Sequence, residues 1–103
     1  MFVQNMRPET EKLEKVAFIL KTIAHPLRLS IIDLLVKQGS LSVGQLCKQL
    51  GAEQSLTSHH LSVMREKGVL NTIREGKNVL YSINLMEVVQ VIKCVENCEI
   101  PTK

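Results

Sequence analysis

The chain is poor in aromatic residues, with no tryptophan, one tyrosine and two phenylalanines among 103 residues. With 45% apolar residues it has enough for a core, but that core must be mostly aliphatic. No apolar run reaches the ~18 residues of a membrane span, so no spanning helix and no membrane partner are expected. Met1-Phe2-Val3-Gln4-Asn5-Met6-Arg7 lacks the basic-then-apolar order of a secretory signal. A cytoplasmic location follows as the expectation, with the three cysteines starting out reduced. Catalytic signatures are missing too. There is no Gly-rich phosphate loop, nucleophile elbow or paired-carboxylate motif. Ser58, His59 and Ser62 lie close together, yet no acid is placed to orient the imidazole. No enzyme is expected. Repeats and low-complexity tracts are absent, and the length suits one domain over residues 1–103. A domain this small buries a modest share of its surface, so dimerisation would help it. The net charge of +3 is compatible with nucleic acid and proves little alone.

What is present is most informative between Ala52 and Leu70. This stretch reads as a short helix with an apolar back, where Leu56, Leu61 and Met64 sit near helical spacing for burial. Gln54, Ser55, Ser58, His59 and Ser62 spread over the front. A solvated helix face usually carries Glu and Lys; this one carries small uncharged donors and acceptors, which suit base edges and phosphates in a major groove. Just before it, Val43, Leu46, Cys47 and Leu50 fall at i, i+3, i+4 and i+7 on a second short helix. Ser42 is a natural N-cap, and Gly51 stands where a left-handed helix-ending residue belongs. Two short helices joined by a tight glycine turn make a helix-turn-helix, whose second helix enters the major groove.

After Gly68 the period changes. Val69–Arg74 and Val79–Ile83 are short β-rich runs, and Glu75-Gly76-Lys77-Asn78 lies between them as a polar turn. A hairpin directly behind a helix-turn-helix is a wing, here with Arg74 and Lys77 as cations at its tip. Three further helices complete the reading. One runs from Pro8 to Ile23 with Leu13, Val16, Ala17, Leu20 and Ile23 as its stripe. Another runs from Pro26 to about Gln38, burying Leu27, Ile31, Leu34 and Leu35 and ended by Gly39. The last runs from about Leu85 to Asn97, capped by Asn84 and stopped by Pro101. Met86, Val88, Val89, Val91, Ile92 and Val95 surround most of the last helix, so it should pack on its own domain and on a partner chain. The expected fold is mainly α with a small β-hairpin: a winged helix-turn-helix of about five helices and a two-stranded wing.

These segments resemble the ArsR/SmtB family. Ile23-Ala24-His25-Pro26-Leu27-Arg28-Leu29 is similar to the family's LADPTRL at the start of its second helix, and Leu41-Ser42-Val43-Gly44-Gln45-Leu46 to its LSVGEL. Gln54 to Gly68 resembles its recognition helix, and Arg74-Glu75-Gly76-Lys77 to Tyr81 its wing. The resemblance implies a homodimeric bacterial repressor, with dimer contacts from the first and last helices, that leaves a near-palindromic double-stranded DNA operator when an effector binds. By resemblance Gln54, Ser55, Ser58 and His59 fall on base- and phosphate-contacting positions. Thr57, Ser62 and Arg65 are secondary candidates, with an ion pair to Glu66 as the ordinary reading of Arg65. Arg74 and Lys77 are candidates for backbone or minor-groove contact. His59 and His60 point about 100° apart on a helix, which suits one facing DNA and the other packing inward rather than a shared metal.

Three cysteines remain. Cys47 lies on an apolar stripe and reads as a small hydrophobe. Cys94 and Cys98 share a face near the end of the last helix, where two soft ligands could take a thiophilic metal or metalloid ion, or react with an oxidant or sulfur species. The bland reading is interface packing. The family's other sensor positions do not carry over. Its Cys-Val-Cys falls on Ser42-Val43-Gly44, and its last-helix ligands fall on Leu85, Glu87, Cys98 and Pro101. The second-helix cysteine of its redox sensors falls on Asp33. That leaves Cys94 and Cys98, with Glu87 or Glu99 as conceivable helpers. Two alternatives stay open: a winged helix used for protein–protein contact, and a DNA-binding regulator without a sensing site.

Overall fold

The pattern of caps and breakers sets the architecture. In the computed structural model, which describes residues 8–98, the order is α1 (Pro8–Ile23), α2 (Pro26–Gln38), β1 (Leu41–Ser42), α3 (Val43–Leu50), α4 (Gln54–Glu66), β2 (Leu70–Glu75), β3 (Asn78–Ile83) and α5 (Met86–Glu96). The leader reading of residues 1–7, Glu99 and Pro101 fall outside the described residues.

Pro26 opens α2 where its missing N–H costs no hydrogen bond. The capping group is His25, whose Nδ1 accepts from Leu27 N–H at 3.1 Å. Helix α3 starts in a complete capping box. Ser42 Oγ accepts from Gln45 N–H at 3.2 Å, and Gln45 Oε1 accepts from Ser42 N–H at 2.9 Å. Gly51 ends α3 in the left-handed conformation, at φ 63° and ψ 33°. Ala52 and Glu53 complete the turn into α4.

The sheet departs from the expected two-stranded wing. β2 and β3 form the hairpin, from Leu70 opposite Ile83 to Glu75 opposite Asn78. β1 adds a third antiparallel strand on the other edge of β3, through Leu41↔Tyr81 and Ser42↔Leu80. Two residues are too few to show an alternating period, so this strand leaves no mark in the pattern. Asn84 also departs: it does not cap α5, whose N-cap is Leu85. Its amide instead donates to the Gly68 carbonyl at 2.9 Å and accepts from Asn71 at 3.4 Å. The hairpin base is thereby fastened to the end of α4.

One aliphatic core joins the elements. Ile19 and Ile23 of α1, Ile31, Ile32 and Leu35 of α2, Leu46 of α3, Leu61 and Met64 of α4, Val69, Leu70, and Val88 and Ile92 of α5 are buried together. Not every expected stripe residue joins it. Leu13, Ala17 and Leu20 on α1 and Met86 and Val95 on α5 are exposed, because each helix turns one edge of its stripe away from its own domain. Leu56 is exposed as well.

Candidate nucleic-acid interface

Helix α4 is held from behind and presents its front. Thr57, His60, Leu61 and Met64 are its buried residues, spaced i, i+3, i+4, i+7. The opposite side carries Gln54, Ser55 and His59, which are exposed, and Ser58 and Ser62, which are half-buried. Arg65 is exposed in the last turn and forms no ion pair among the described residues. Ser55 is already engaged, its hydroxyl donating to Glu53 Oε1 at 3.0 Å. Glu53 stands at the N-cap, where the helix dipole favours a carboxylate.

Two residues of this helix sit differently from the sequence reading. Thr57 is fully buried, with its hydroxyl lacking a partner, so it cannot reach a groove and leaves the set of contact candidates. That burial explains a β-branched residue there better than DNA contact does. Leu56, expected in the core, is 47% exposed on the flank of the outward face. Helical spacing alone placed it inward; the burial of Thr57 one step along rotates it out. An exposed aliphatic group beside polar readers suits the methyl group of thymine. Sequence reasoning placed it on the apolar back and so did not count it among the outward residues.

His60 packs inward, as the adjacent-histidine argument expects. Its Nδ1 accepts from Arg28 Nε at 2.9 Å, while His59 remains exposed with its ring edge-on to His60 at 5.4 Å.

At the wing, a two-residue turn at Gly76-Lys77 closes the hairpin, and Gly76 takes φ 61°. Lys77 lies in the turn and Arg74 at the end of β2, both exposed. Glu75 separates them and offsets part of their charge. Recognition helix and wing meet through β2, which leaves α4 across Lys67, Gly68 and Val69. A polar helix face beside a cationic hairpin tip offers base-edge and phosphate contacts in one module.

Comparison with known proteins decides the family. Residues 25–72 match the profile of the bacterial regulatory protein, arsR family, which takes in α2, α3, α4 and the start of β2. The transcriptional repressor PagR of Bacillus anthracis is 45% identical over 82% of this chain and 85% of its own. The chain belongs to the ArsR family.

The biofilm growth-associated repressor of Xylella fastidiosa is 37% identical over 87% of each chain. Among solved structures, the repressor BigR from the same organism superimposes with a TM-score of 0.81 at 34% identity, covering 94% of this chain and 99% of that one. PagR itself superimposes with a TM-score of 0.76 over 82% of this chain and 97% of its own. This ArsR-family chain is therefore a winged-helix transcriptional regulator and not an enzyme. No described helix is long and apolar enough to cross a membrane.

The cysteines are partly as expected. Cys47 is half-buried on α3, while Cys94 and Cys98 are exposed and unpaired. Helix α5 ends at Glu96, so Cys98 lies past it in a tight turn, where its N–H donates to the Val95 carbonyl at 3.1 Å. No group of three or more His, Cys, Asp or Glu side chains suited to a metal ion occurs among the described residues. Glu87 is engaged elsewhere. Lys15 Nζ lies 2.8 Å from its carboxylate, and that hydrogen bond holds the carboxyl below its ordinary range.

Proposed function

We propose that this ArsR-family chain acts in the cytoplasm as a homodimeric repressor of a near-palindromic operator. Each α4 enters a major groove with Gln54, Ser55, Ser58, His59 and Ser62 toward the bases and phosphates. Arg65, Arg74 and Lys77 hold the backbone. The observation that carries this reading is the two-sided α4: a sealed apolar back and a front of uncharged hydrogen-bonding groups beside a cationic wing. PagR and the Xylella protein are named repressors, and the homologous winged-helix domain from Mycobacterium bovis is described as homodimeric. Dimerisation also accounts for Leu13 and Met86, each 67% exposed on the two terminal helices.

The effector acts at the end of α5. Cys94, in the last turn of α5, and Cys98, just past its end, are exposed thiols beside the proposed dimer contacts, and they suit a thiophilic ion or a sulfur-reactive species. The third thiol, Cys47, lies half-buried on α3, so only these two soft ligands stand at the end of α5 and a closed site draws one pair from each protomer.

Selection of duplexes from a random-sequence pool, followed by footprinting, tests the reading. A two-fold symmetric footprint protected by a species of dimer mass is the expected outcome. A single asymmetric half-site bound by a monomer, or selection of no sequence, overturns it.

A further inference from the structure

Behind the DNA-facing side of α4, three helices meet at one guanidinium. Arg28 of α2 donates through Nε to His60 Nδ1 on α4 at 2.9 Å, and through Nη1 to the Thr22 carbonyl in the last turn of α1 at 2.7 Å. Thr22 is itself buried, with its hydroxyl donating to the Phe18 carbonyl at 2.8 Å. The His25 ring, at the corner between α1 and α2, lies 4.4 Å from the His60 ring. These contacts assign the protons. Arginine does not give up a proton, so His60 Nδ1 must present its lone pair and carry its hydrogen on Nε2. His25 is assigned the same way by the N–H of Leu27 that its Nδ1 accepts.

We propose that His60, Arg28 and His25 form a proton-sensitive latch that ties the recognition helix to the α1–α2 corner and opens when His60 takes up a proton. The step is a simple transfer. A solvent proton adds to Nδ1, the Arg28 Nε–H···Nδ1 bond breaks, and two donors then face each other. Among the described residues no acid stands beside His60 to welcome the new charge. His59 faces His60 from α4, Arg28 from α2 and His25 from the corner, and α1 contributes only a carbonyl that Arg28 already occupies. His60 is 6% exposed. Burial first, then the neighbouring His25, Arg28 and His59, hold it below its ordinary value of 6.5. The direction of linkage follows. The unfolded chain takes the proton near pH 6.5 and the native chain only lower, so the latch is intact above that pH and stability falls as pH drops below it. The same opening frees α4 from the two helices that carry or adjoin the proposed dimer contacts, so it couples protonation to DNA binding. That coupling rests on the proposed function; the latch itself does not.

The test compares the parent with His60→Asn, whose amide oxygen can accept from Arg28 without titrating. Ring-proton NMR should show His60 titrating below pH 6.5, with the Arg28 Nε–H signal lost over the same range. Thermal melting from pH 7.5 to 5.5 should lower the parent's midpoint more than that of His60→Asn. On a duplex selected at pH 7.5, acidification should cost the parent about tenfold more affinity than the variant, within the usual range of coupling between sites. A second variant, Arg28→Gln, should remove the joint titration while remaining observable by NMR even where melting is too low to read. Titration of His60 at or above its ordinary value, a persistent Arg28 signal, or equal pH slopes for parent and His60→Asn would overturn the latch. Equal acid sensitivity of DNA binding alone would overturn the coupling. If no duplex is selected, the operator reading fails and the NMR titration still decides the latch.

Discussion

Ser58 and His59 are neighbours on the outward side of α4, and neither side chain hydrogen-bonds to another described residue. Such free donors and acceptors gain most from a base edge. Replacing both with alanine should weaken binding to a selected operator by ~1–3 kcal/mol per lost contact, with a smaller loss on random DNA. Titration on both duplexes at fixed salt measures the difference, and an equal loss on the two would end the base-reading role. Thr57 teaches the opposite lesson. It sits among polar readers in sequence, yet its side chain is buried, and only the packing of α4 on the core reveals this. Cys94 and Cys98 belong to the same scale. Thiols that bind a soft ion lose protons, so Cd²⁺ should bind with proton release and weaken operator binding by ~1–3 kcal/mol. The double Cys94→Ser, Cys98→Ser variant should lose that response; an unchanged response would reduce both residues to interface packing.

At the scale of elements, the helix-turn-helix depends on a few local devices. Ser42→Ala removes one half of the capping box and should cost ~1 kcal/mol. Gly51→Ala meets nothing within 4 Å of the new Cβ, so its cost is the left-handed backbone alone, again ~1 kcal/mol. Chemical denaturation checks both, and Gly51→Asn should cost less because asparagine tolerates that conformation. A Gly51→Ala variant as stable as the parent would mean that the turn relaxes. These devices were also the most legible parts of the chain. Pro26, Ser42 and Gly51 mark helix ends by local chemistry, so the bounds of α1, α2 and α3 could be read in advance. The missed features are those that distant partners decide. β1 exists because β3 has a free edge, Asn84 left its cap position because Gly68 offers a carbonyl, and Leu56 faces out because Thr57 takes the inner position. Arg28 looked like an ordinary family residue until His60 and the Thr22 carbonyl were placed beside it.

Among the described residues of the whole molecule, most of the exposed large apolar side chains lie on the two terminal helices. Leu13 and Leu20 on α1 and Met86 and Val95 on α5 are open to solvent, and Lys15 of α1 pairs with Glu87 of α5 at 2.8 Å. A dimer built there carries two α4 helices and two wings on one body. Its geometry makes a sharp demand, because two recognition helices reading one face of B-DNA must sit about one turn, ~34 Å, apart. The most direct test therefore changes the DNA. Starting from a selected palindromic operator, inserting about half a helical turn between its half-sites rotates one groove away from its helix. Inserting a full turn restores the face but lengthens the span. This two-groove arrangement requires that the half-turn insertion reduce affinity toward the level of a single half-site, with loss of the two-fold footprint. Unchanged affinity and footprint on the half-turn duplex would contradict it.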